Sequence, residues 1–415
     1  MSLPQIIDTV TGYIFTWQQE QITIEVSRLR NHSDGRVTGE IAVSTSTPGY
    51  SPHLHQAQFN FAATRSRAEL ARNLDERYGK LADWATILEQ LCVYTLERIR
   101  KGEPVVALKT GEDVSPPQYL LEPVILKNYP TIIFGDPGTA KSTVALIFSQ
   151  LMAHPSDNYG LDLTPPDRVI NSLILDYETD ADTEQWLLTK LQRGMNLPQL
   201  TLSYRHCALP LAQDVDQVHR HIHDTNSEVI IIDSLGLACG GDLKEPSSAL
   251  SFFSALRQLK TTSLILAHTS KNPETKRKTV FGSIFFEAQA RSIWEIWKRQ
   301  EVGEDEMDIA LFHRKSPPFS KLCQPLGMHI EFGTDTIKVS PARPRTISEF
   351  LAGLGTQMQI EELLKHGAMS TKEIIEALGL SRRGADAAIK RLKDKGKIVK
   401  IMDKWGLAEE GEFQN

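Results

Sequence analysis

The chain has 415 residues, a formal net charge of −6 and a charged fraction of 24%. This length is enough for two or three domains with ordinary hydrophobic cores, and the balanced charge indicates a globular protein. The four cysteines stand far apart and form no Cys-x-x-Cys pair, which argues against both a disulfide framework and a zinc site. No signal pattern or membrane-length apolar run is present, so we expect a cytoplasmic protein with no membrane contact.

Residues 1–100 predict a small α+β accessory domain. Apolar residues alternate with polar ones over residues 13–45, as they do in strands. Helical spacing of apolar residues follows at about 66–78 and 81–100. These residues indicate no chemistry of their own. Residues 101–118, which contain Gly, Glu, Asp and Pro, predict a linker.

The most informative stretch lies at residues 130–143. A short apolar run, which predicts a buried strand, leads through a glycine-containing loop into an apolar helix pattern. Glycine lets successive backbone N–H groups converge on phosphate oxygens, and the helix N-terminus adds its positive dipole end. The predicted nucleotide-binding residues are Gly135, Asp136, Pro137, Gly138, Thr139, Ala140, Lys141, Ser142 and Thr143.

Two side chains of this loop carry the expected chemistry, and ATP with Mg²⁺ are the expected cofactors. Lys141 is expected to reach the β- and γ-phosphates, and the Ser142 hydroxyl is expected to bind Mg²⁺. Ala140 stands where the phosphate-loop pattern has its second glycine. If the backbone is left-handed there, alanine costs on the order of 1–2 kcal/mol, which a large nucleotide-binding domain tolerates.

Residues 119–340 alternate strand patterns with helix patterns, which is typical of a mostly parallel sheet with helices on both faces. Three strand patterns end in polar side chains, at Asp176 and Glu178, at Asp233 and at His268. Because the carboxyl ends of parallel strands meet ligands at one edge, we expect these side chains near the phosphate loop. Asp233 follows four apolar residues, as the Mg²⁺-holding aspartate of a Walker B motif does.

In this order, the motifs resemble the RecA-like ATPases, and among them the RepA-type replicative helicases of plasmids and phages. The resemblance implies an oligomeric, hexameric ATPase that acts on DNA, with other replication or mobile-element proteins as further partners. By position it assigns activation of the attacking water to Glu178, the metal to Asp233 and sensing of the γ-phosphate to His268. The phosphate loop also resembles that of minichromosome-maintenance helicases, but that family has a second acid where this chain has Ser234.

Several of these assignments have alternatives. Asp176 is the main rival of Glu178 as the catalytic base. An acid after a strand also caps helices, and Asp180 or Asp182 fits that role. His268 has the alternative of a hydrogen-bonded histidine in the core.

A cluster of basic residues after the last of these strands predicts contact with a nucleic-acid strand. In RecA-like rings the corresponding loop faces the central channel, so the resemblance implies a single strand of DNA there; an ordinary charged surface loop is the alternative. The candidates are Lys271, Lys276, Arg277 and Lys278. Further along, Arg314 and Lys315 match the place where ring ATPases offer a cationic finger to the neighbour's γ-phosphate.

The C-terminal segment predicts a winged helix over residues 356–410, after a Pro- and Arg-rich linker at 341–355. Three helix patterns precede two short strand patterns, and residues 381–395 predict the recognition helix. Basic charge is concentrated there, which favours duplex DNA, although some winged helices bind only protein. The candidate contacts are Arg382, Arg383, Lys390 and Arg391.

These patterns predict a three-part α/β protein, with an N-terminal α+β accessory domain, a RecA-like P-loop core and a C-terminal winged helix. The predicted function is an ATP-driven helicase or translocase that forms a ring. An ATP-gated DNA-binding regulator or loader, and a scaffold ATPase, are the alternatives.

Overall fold

The structure is a computed structural model that describes residues 2–9, 12–78, 81–102, 105–108, 110–111, 115–155, 158–269, 279–282, 284–344 and 347–408. It divides into two compact units. The first comprises residues 1–116 with 214–224, and the second comprises residues 117–213 with 225–415. No helix among the described residues is long and apolar enough to cross a membrane.

The first unit contains a five-stranded antiparallel sheet in which each strand pairs with the next along the chain. Alternate residues of its strands are buried, so one face packs a core that includes Phe15, Trp17 and Ile41 together with Leu88 and Leu91 of the second helix. Its elements are β1 (Gln5–Asp8), β2 (Tyr13–Trp17), β3 (Ile22–Asn31), β4 (Val37–Thr45), β5 (His53–Asn60), α1 (Thr64–Tyr78) and α2 (Trp84–Lys101).

The second unit is built on a nine-stranded sheet. Six neighbouring strands are parallel, and three antiparallel strands extend one side of the sheet. A short hairpin precedes it, formed by β6 (Tyr119–Leu121) and β7 (Ile125–Leu126). The parallel strands are β10 (Ser203–His206), β9 (Ser172–Asp176), β11 (Val229–Asp233), β12 (Thr262–His268), β8 (Pro130–Gly135) and β13 (Ser292–Arg299); the antiparallel strands are β14 (Glu306–Lys315), β15 (Leu326–Phe332) and β16 (Ile337–Pro341).

Helices follow the parallel strands, as the alternating pattern predicted. The buried residues of the helix after β8 belong to one core with Ile133 of β8, Ile174 of β9 and Ile231 of β11. These helices are α3 (Lys141–Ala153), α4 (Ala181–Gly194), α5 (Leu211–Asp224), α6 (Leu235–Cys239), α7 (Pro246–Leu259) and α8 (Ile284–Gln289). Residues 214–224 of α5 are the part that belongs to the first unit. The predicted α/β fold class is confirmed.

The register of the parallel strands determines where the functional side chains lie. Asp233 pairs with Asp176 across β11 and β9, and His268 pairs with Gly135 across β12 and β8. Four strands therefore end at the same edge of the sheet, which is where the phosphate loop begins.

Part of the predicted linker 341–355 is a packed element rather than a free connection. A 3₁₀ helix, Ser348–Gly353, buries Phe350, and Leu354 follows it into the same small core with Ala310 and Phe312 of β14. The basic and proline residues of this segment suggested a linker, but the apolar residues after them cover one part of the antiparallel extension.

The winged helix has the predicted order of elements: α9 (Thr356–Leu364), α10 (Thr371–Leu378), α11 (Arg382–Asp394), β17 (Ile398–Ile401) and β18 (Lys404–Leu407). Its core contains Ile360, Ile374, Ile389, Leu392 and Ile398. The helix α10 begins with a capping box, in which the Ser370 hydroxyl accepts from the Glu373 N–H and the Glu373 carboxylate accepts from the Ser370 N–H.

Candidate functional site

The phosphate loop needs glycine at its first position because another strand passes close to it. A Cβ atom at Gly135 would lie 2.4 Å from Ile296 Cγ2 and 2.7 Å from the Ile296 carbonyl oxygen. Gly138 and Ala140 both have left-handed backbones, with φ of 74° and 60°. Ala140 thus adopts the backbone expected of the missing glycine, and the loop carries the corresponding strain.

The helix α3 begins directly at Lys141 and leaves its N-terminus open for an anion. No side chain caps it, and no acidic residue lies in its first turn. The first N–H groups of a helix have no partner within the helix, and the positive end of the helix dipole adds to them. This end of a 13-residue helix therefore fits a bound phosphate group.

The Lys141 ammonium lies inside the loop. The residue is only 8% exposed, and Nζ donates to the carbonyl oxygens of Gly135 (3.3 Å) and Asp136 (3.1 Å). Burial lowers the pKa of Lys141, while the charges of Asp233 and Glu178 act against that shift. A phosphate group in the loop would stabilise the charged form that burial disfavours.

Ser142 and Asp233 form a pair of oxygen ligands that suits Mg²⁺. The Ser142 hydroxyl donates to the Asp233 carboxylate. Burial raises the pKa of Asp233 to about 6, with further increases from the neighbouring charges of Glu178 and Asp176. Mg²⁺ typically takes one or two protein oxygens and completes its shell with phosphate oxygens and water. The donor chemistry therefore fits the ion, although no cluster of three or more metal-ligating side chains exists among the described residues.

The carboxylate of Asp176 stabilises the turn after β9 through its hydrogen bonds. Its carboxylate accepts from the N–H groups of Glu178 (2.9 Å) and Thr179 (3.1 Å), from the Thr179 hydroxyl (2.6 Å) and from the Tyr204 hydroxyl (2.8 Å). Burial alone would raise the pKa of Asp176, but these hydrogen bonds outweigh burial and lower it. A carboxylate held in this way is a poor proton acceptor.

Glu178, in contrast, faces the site with a half-exposed side chain. Its carboxylate accepts from the Ser234 hydroxyl, and Oε1 lies 3.7 Å from His268 Nε2. The other ring nitrogen of His268 lies 3.5 Å from Lys141 Nζ. His268 thus stands between the lysine of the phosphate loop and the candidate base.

Four residues that the sequence did not single out belong to this site. The Thr269 hydroxyl donates to the Asp136 carboxylate, which ties the end of β12 to the phosphate loop. Ser234 holds Glu178, and Tyr204 holds Asp176. The fourth is Glu184, a buried acid in the first turn of α4. For Ser234 the only signal in the sequence is its place directly after Asp233.

Glu184 is a buried acid in the first turn of α4, and no pattern in the sequence placed it at this site. It is 8% exposed, and burial raises its pKa to about 7, with further increases from the charges of Asp233 and Asp176. The same helix is capped by Asp180, which accepts from the Thr183 N–H at 2.9 Å. The predicted cap at Asp180 is present; the burial of Glu184 depends on the packing of α4 beside the strand ends.

The proposed finger residues are both engaged within the chain. Arg314 pairs with the buried Glu295 at 2.7 Å and donates to the Gly353 carbonyl oxygen at 2.9 Å. Lys315 Nζ donates to three carbonyl oxygens at the end of α8, those of Glu287, Ala288 and Ala290. A finger role would require each side chain to leave these partners. Lys271, Lys276, Arg277 and Lys278 lie outside the described residues.

The candidate duplex contacts lie on the exposed side of α11. Ala385, Ala388, Ile389 and Leu392 turn inward, and the basic residues turn outward. Arg382 lies 3.9 Å from Asp386, which is a weak surface pair. The other candidates, Arg383, Lys390 and Arg391, pair with no carboxylate among the described residues.

This fold and site define a P-loop ATPase of the RecA-like type that carries a winged helix. In agreement, residues 97–274 match the AAA domain family, and residues 360–399 match the winged helix-turn-helix DNA-binding family. The chain therefore contains an AAA-type, RecA-like ATPase domain followed by a winged-helix domain, and the suspected architecture is confirmed.

Comparisons with individual proteins add little to this assignment. No curated protein matches the chain. Among solved structures, a KaiC-like protein of the hyperthermophilic archaeon Pyrococcus horikoshii is 16% identical, with 57% of this chain and 100% of that chain covered and a TM-score of 0.36. A similarity of this size gives no information about the activity of this chain.

Proposed function

We propose that the chain is an ATP-hydrolysing motor that acts on DNA, a helicase or translocase of the RepA type that assembles into a hexameric ring in the cytoplasm. One observation carries this proposal. The phosphate loop, the Ser142–Asp233 pair, Glu178 and His268 meet at one edge of the sheet, in a chain that also carries a winged helix with an exposed basic face.

Each side chain has a role in the proposed reaction. The open N-terminus of α3 and Lys141 hold the phosphates, and Ser142 with Asp233 hold Mg²⁺, which would neutralise charge on the β- and γ-phosphate oxygens. Glu178 accepts a proton from the attacking water, because its carboxylate is the one that faces the site. His268, in reach of both Lys141 and Glu178, is suited to report the presence of the γ-phosphate.

DNA is the proposed substrate at two surfaces. The exposed cations of α11 would anchor a duplex, and the basic loop at residues 271–278 would follow a single strand in the ring channel. Other replication or mobile-element proteins would be further partners. A cationic finger from a neighbouring subunit belongs to the proposed ring; Arg314 and Lys315 are its sequence candidates.

An ATP-gated DNA-binding regulator or loader is a second candidate. The observation that favours it is the 3₁₀ helix Ser348–Gly353, which joins the winged helix to β14 through buried side chains and the Arg314 hydrogen bond. Such a connection would let the nucleotide state bias the DNA-binding domain without strand separation.

Two assays test the proposal. The variant Lys141→Ala should lose hydrolysis, because it removes the ammonium placed for the β- and γ-phosphates; wild-type turnover in this variant would mean that the loop is not the active site. A strand-displacement assay on forked duplex then separates the two candidates. ATP-dependent displacement supports the motor, whereas DNA-stimulated hydrolysis without displacement supports the regulator.

A further inference from the structure

A second concave site lies at the edge of the large sheet opposite the phosphate loop. A cavity of about 490 Å³ opens where β8, β12 and β13 begin, next to the end of α7. Its size lies within the range of small-molecule sites, about 300–1,000 Å³. The proposed hydrolysis reaction uses none of its residues.

The described lining of the cavity contains three basic residues and no acidic one. The basic residues are Arg257, Lys260 and Arg291. Arg257 is oriented by a hydrogen bond to Gln289 at 3.2 Å. Burial lowers the pKa of Lys315, and the charge of Arg291 lowers it further, against the effect of Glu287. An anionic ligand would be attracted here.

The cavity also offers a surface for a planar group. Tyr129 lines it with about a third of its surface exposed, and Arg291 Cζ lies 5.8 Å from the centre of the tyrosine ring. Phe253 and Leu256 form an apolar wall. Aromatic side chains next to arginine are the usual platform for nucleobases.

A buried serine lines the same space. Ser263 is 1% exposed and belongs to the wall of the cavity. A serine hydroxyl can both donate and accept a hydrogen bond, so it offers a polar contact to a ligand at this wall.

We propose that this cavity binds a nucleotide unit, with the base against Tyr129, the phosphate among Arg257, Lys260 and Arg291, and a polar group at Ser263. The unit is either a free mononucleotide or one residue of a single strand. A nucleotide joins the two chemistries that the cavity offers, a planar aromatic body and a negative charge. The site is separate from the phosphate loop and does not depend on hydrolysis there.

The test uses the full chain with thymidine monophosphate and a short thymidine oligonucleotide as probes in equilibrium titrations. The double variant Arg257→Gln/Arg291→Gln should bind thymidine monophosphate at least about tenfold more weakly, the effect expected of lost charged hydrogen bonds. Tyr129→Leu should weaken binding about fivefold or more through lost stacking. Lys338→Gln, on the exposed side of β16, is the matched control and should bind as the wild type does.

Ser263→Ala tests the polar contact at the cavity wall. The substitution removes one oxygen atom and adds no volume, so it should weaken binding of the monophosphate, and thermal unfolding of the same variant checks that the fold is intact. Lys141→Ala should leave this binding intact, so failure of the second site is distinguishable from failure of the proposed hydrolysis.

The two probes identify the source of the nucleotide. If the oligonucleotide binds more tightly than the monophosphate and loses affinity in the same variants, the site holds a single strand; if only the monophosphate responds, it holds a free nucleotide. Unchanged binding of both probes in the arginine double variant would overturn the proposal. Equal competition by a glutamate decapeptide would also overturn it, because charge alone would then suffice.

Discussion

Asp176 and Glu178 stand two residues apart, yet the structure gives their carboxylates different surroundings. Asp176 accepts four hydrogen bonds from the turn and from Tyr204, whereas Glu178 faces Ser234 and His268. We therefore expect Glu178→Gln to bind ATP normally and to lower turnover by about 10²–10⁴-fold, since an amide cannot accept the proton. Nucleotide titration and steady-state ATPase rates measure the two effects.

Asp176→Asn is the control for this assignment. The asparagine amide would meet the hydroxyl donors of Thr179 and Tyr204, so the variant should lose about 1–3 kcal/mol of unfolding free energy. If Asp176→Asn instead remains stable, binds ATP and loses turnover, while Glu178→Gln stays active, the base has been assigned to the wrong residue.

Glu184 makes folding stability depend on pH. Its pKa is raised from 4.5 to about 7 by burial and by the charges of Asp233 and Asp176, with Asp180 acting in the same direction. The folded state therefore holds a proton that the unfolded chain releases above about pH 4.5. The associated stability is fully present below that pH and is lost as the pH rises through about 7.

Glu184→Gln cannot ionise and should avoid this loss. We expect the variant to be more stable than the wild type at pH 8, by up to about 3 kcal/mol, and to show a much smaller gain at pH 4.5. Denaturant unfolding at both pH values, without nucleotide or Mg²⁺, measures the difference. A stability difference that is the same at both pH values would contradict the burial of an ionisable Glu184.

The location of the main site residues could be predicted from the sequence, although their individual contacts could not. The order of strands, loop and helices predicted that Lys141, Ser142, Asp233 and His268 lie at one edge of the sheet, because parallel strands end together. The roles of Ser234 and Glu184 could not be predicted, because both depend on tertiary packing. Neither residue type is unusual for its position in the sequence.

At the level of elements, the antiparallel extension was the least predictable part of the fold. The sequence predicts a strand at residues 308–313, which lies within β14, but no pattern in it identifies β15 or β16. Their edges contain charged and turn residues, and antiparallel strands at a sheet margin lack the continuous apolar runs of buried parallel strands. The packed 3₁₀ helix was missed for a related reason, since the buried side chains of Phe350 and Leu354 follow a polar segment.

Arg314 of β14 pairs with Glu295 of β13 and donates to the Gly353 carbonyl oxygen of the 3₁₀ helix, so it provides a test of how this extension is held. Glu295 is 4% exposed, so removal of the guanidinium would leave a buried carboxylate without its ion pair. Arg314→Ala should therefore lower the unfolding free energy by about 3–5 kcal/mol. If Arg314 were instead a finger residue, the variant would be fully stable and would bind ATP without hydrolysing it. Thermal unfolding and ATPase rates distinguish the structural role from the finger role.

At the level of the whole molecule, the winged helix and the motor are proposed to contact DNA separately. Arg383→Ala/Lys390→Ala removes two exposed cations of α11 without touching its buried side, so the fold and basal hydrolysis should be unchanged. Duplex affinity should fall, and the slope of log affinity against log salt should decrease by about one per residue. An unchanged slope, measured by anisotropy at several salt concentrations, would exclude these residues from the duplex interface.

The central claim is that ATP hydrolysis at the phosphate loop is coupled to DNA. It is tested most directly by the steady-state ATPase rate of the full chain during titration with single-stranded and with duplex DNA, with Lys141→Ala as the control for contaminating activity. We expect a basal rate that single-stranded DNA raises in a saturable manner and that Lys141→Ala abolishes. Hydrolysis that neither form of DNA changes at any concentration would contradict the claim.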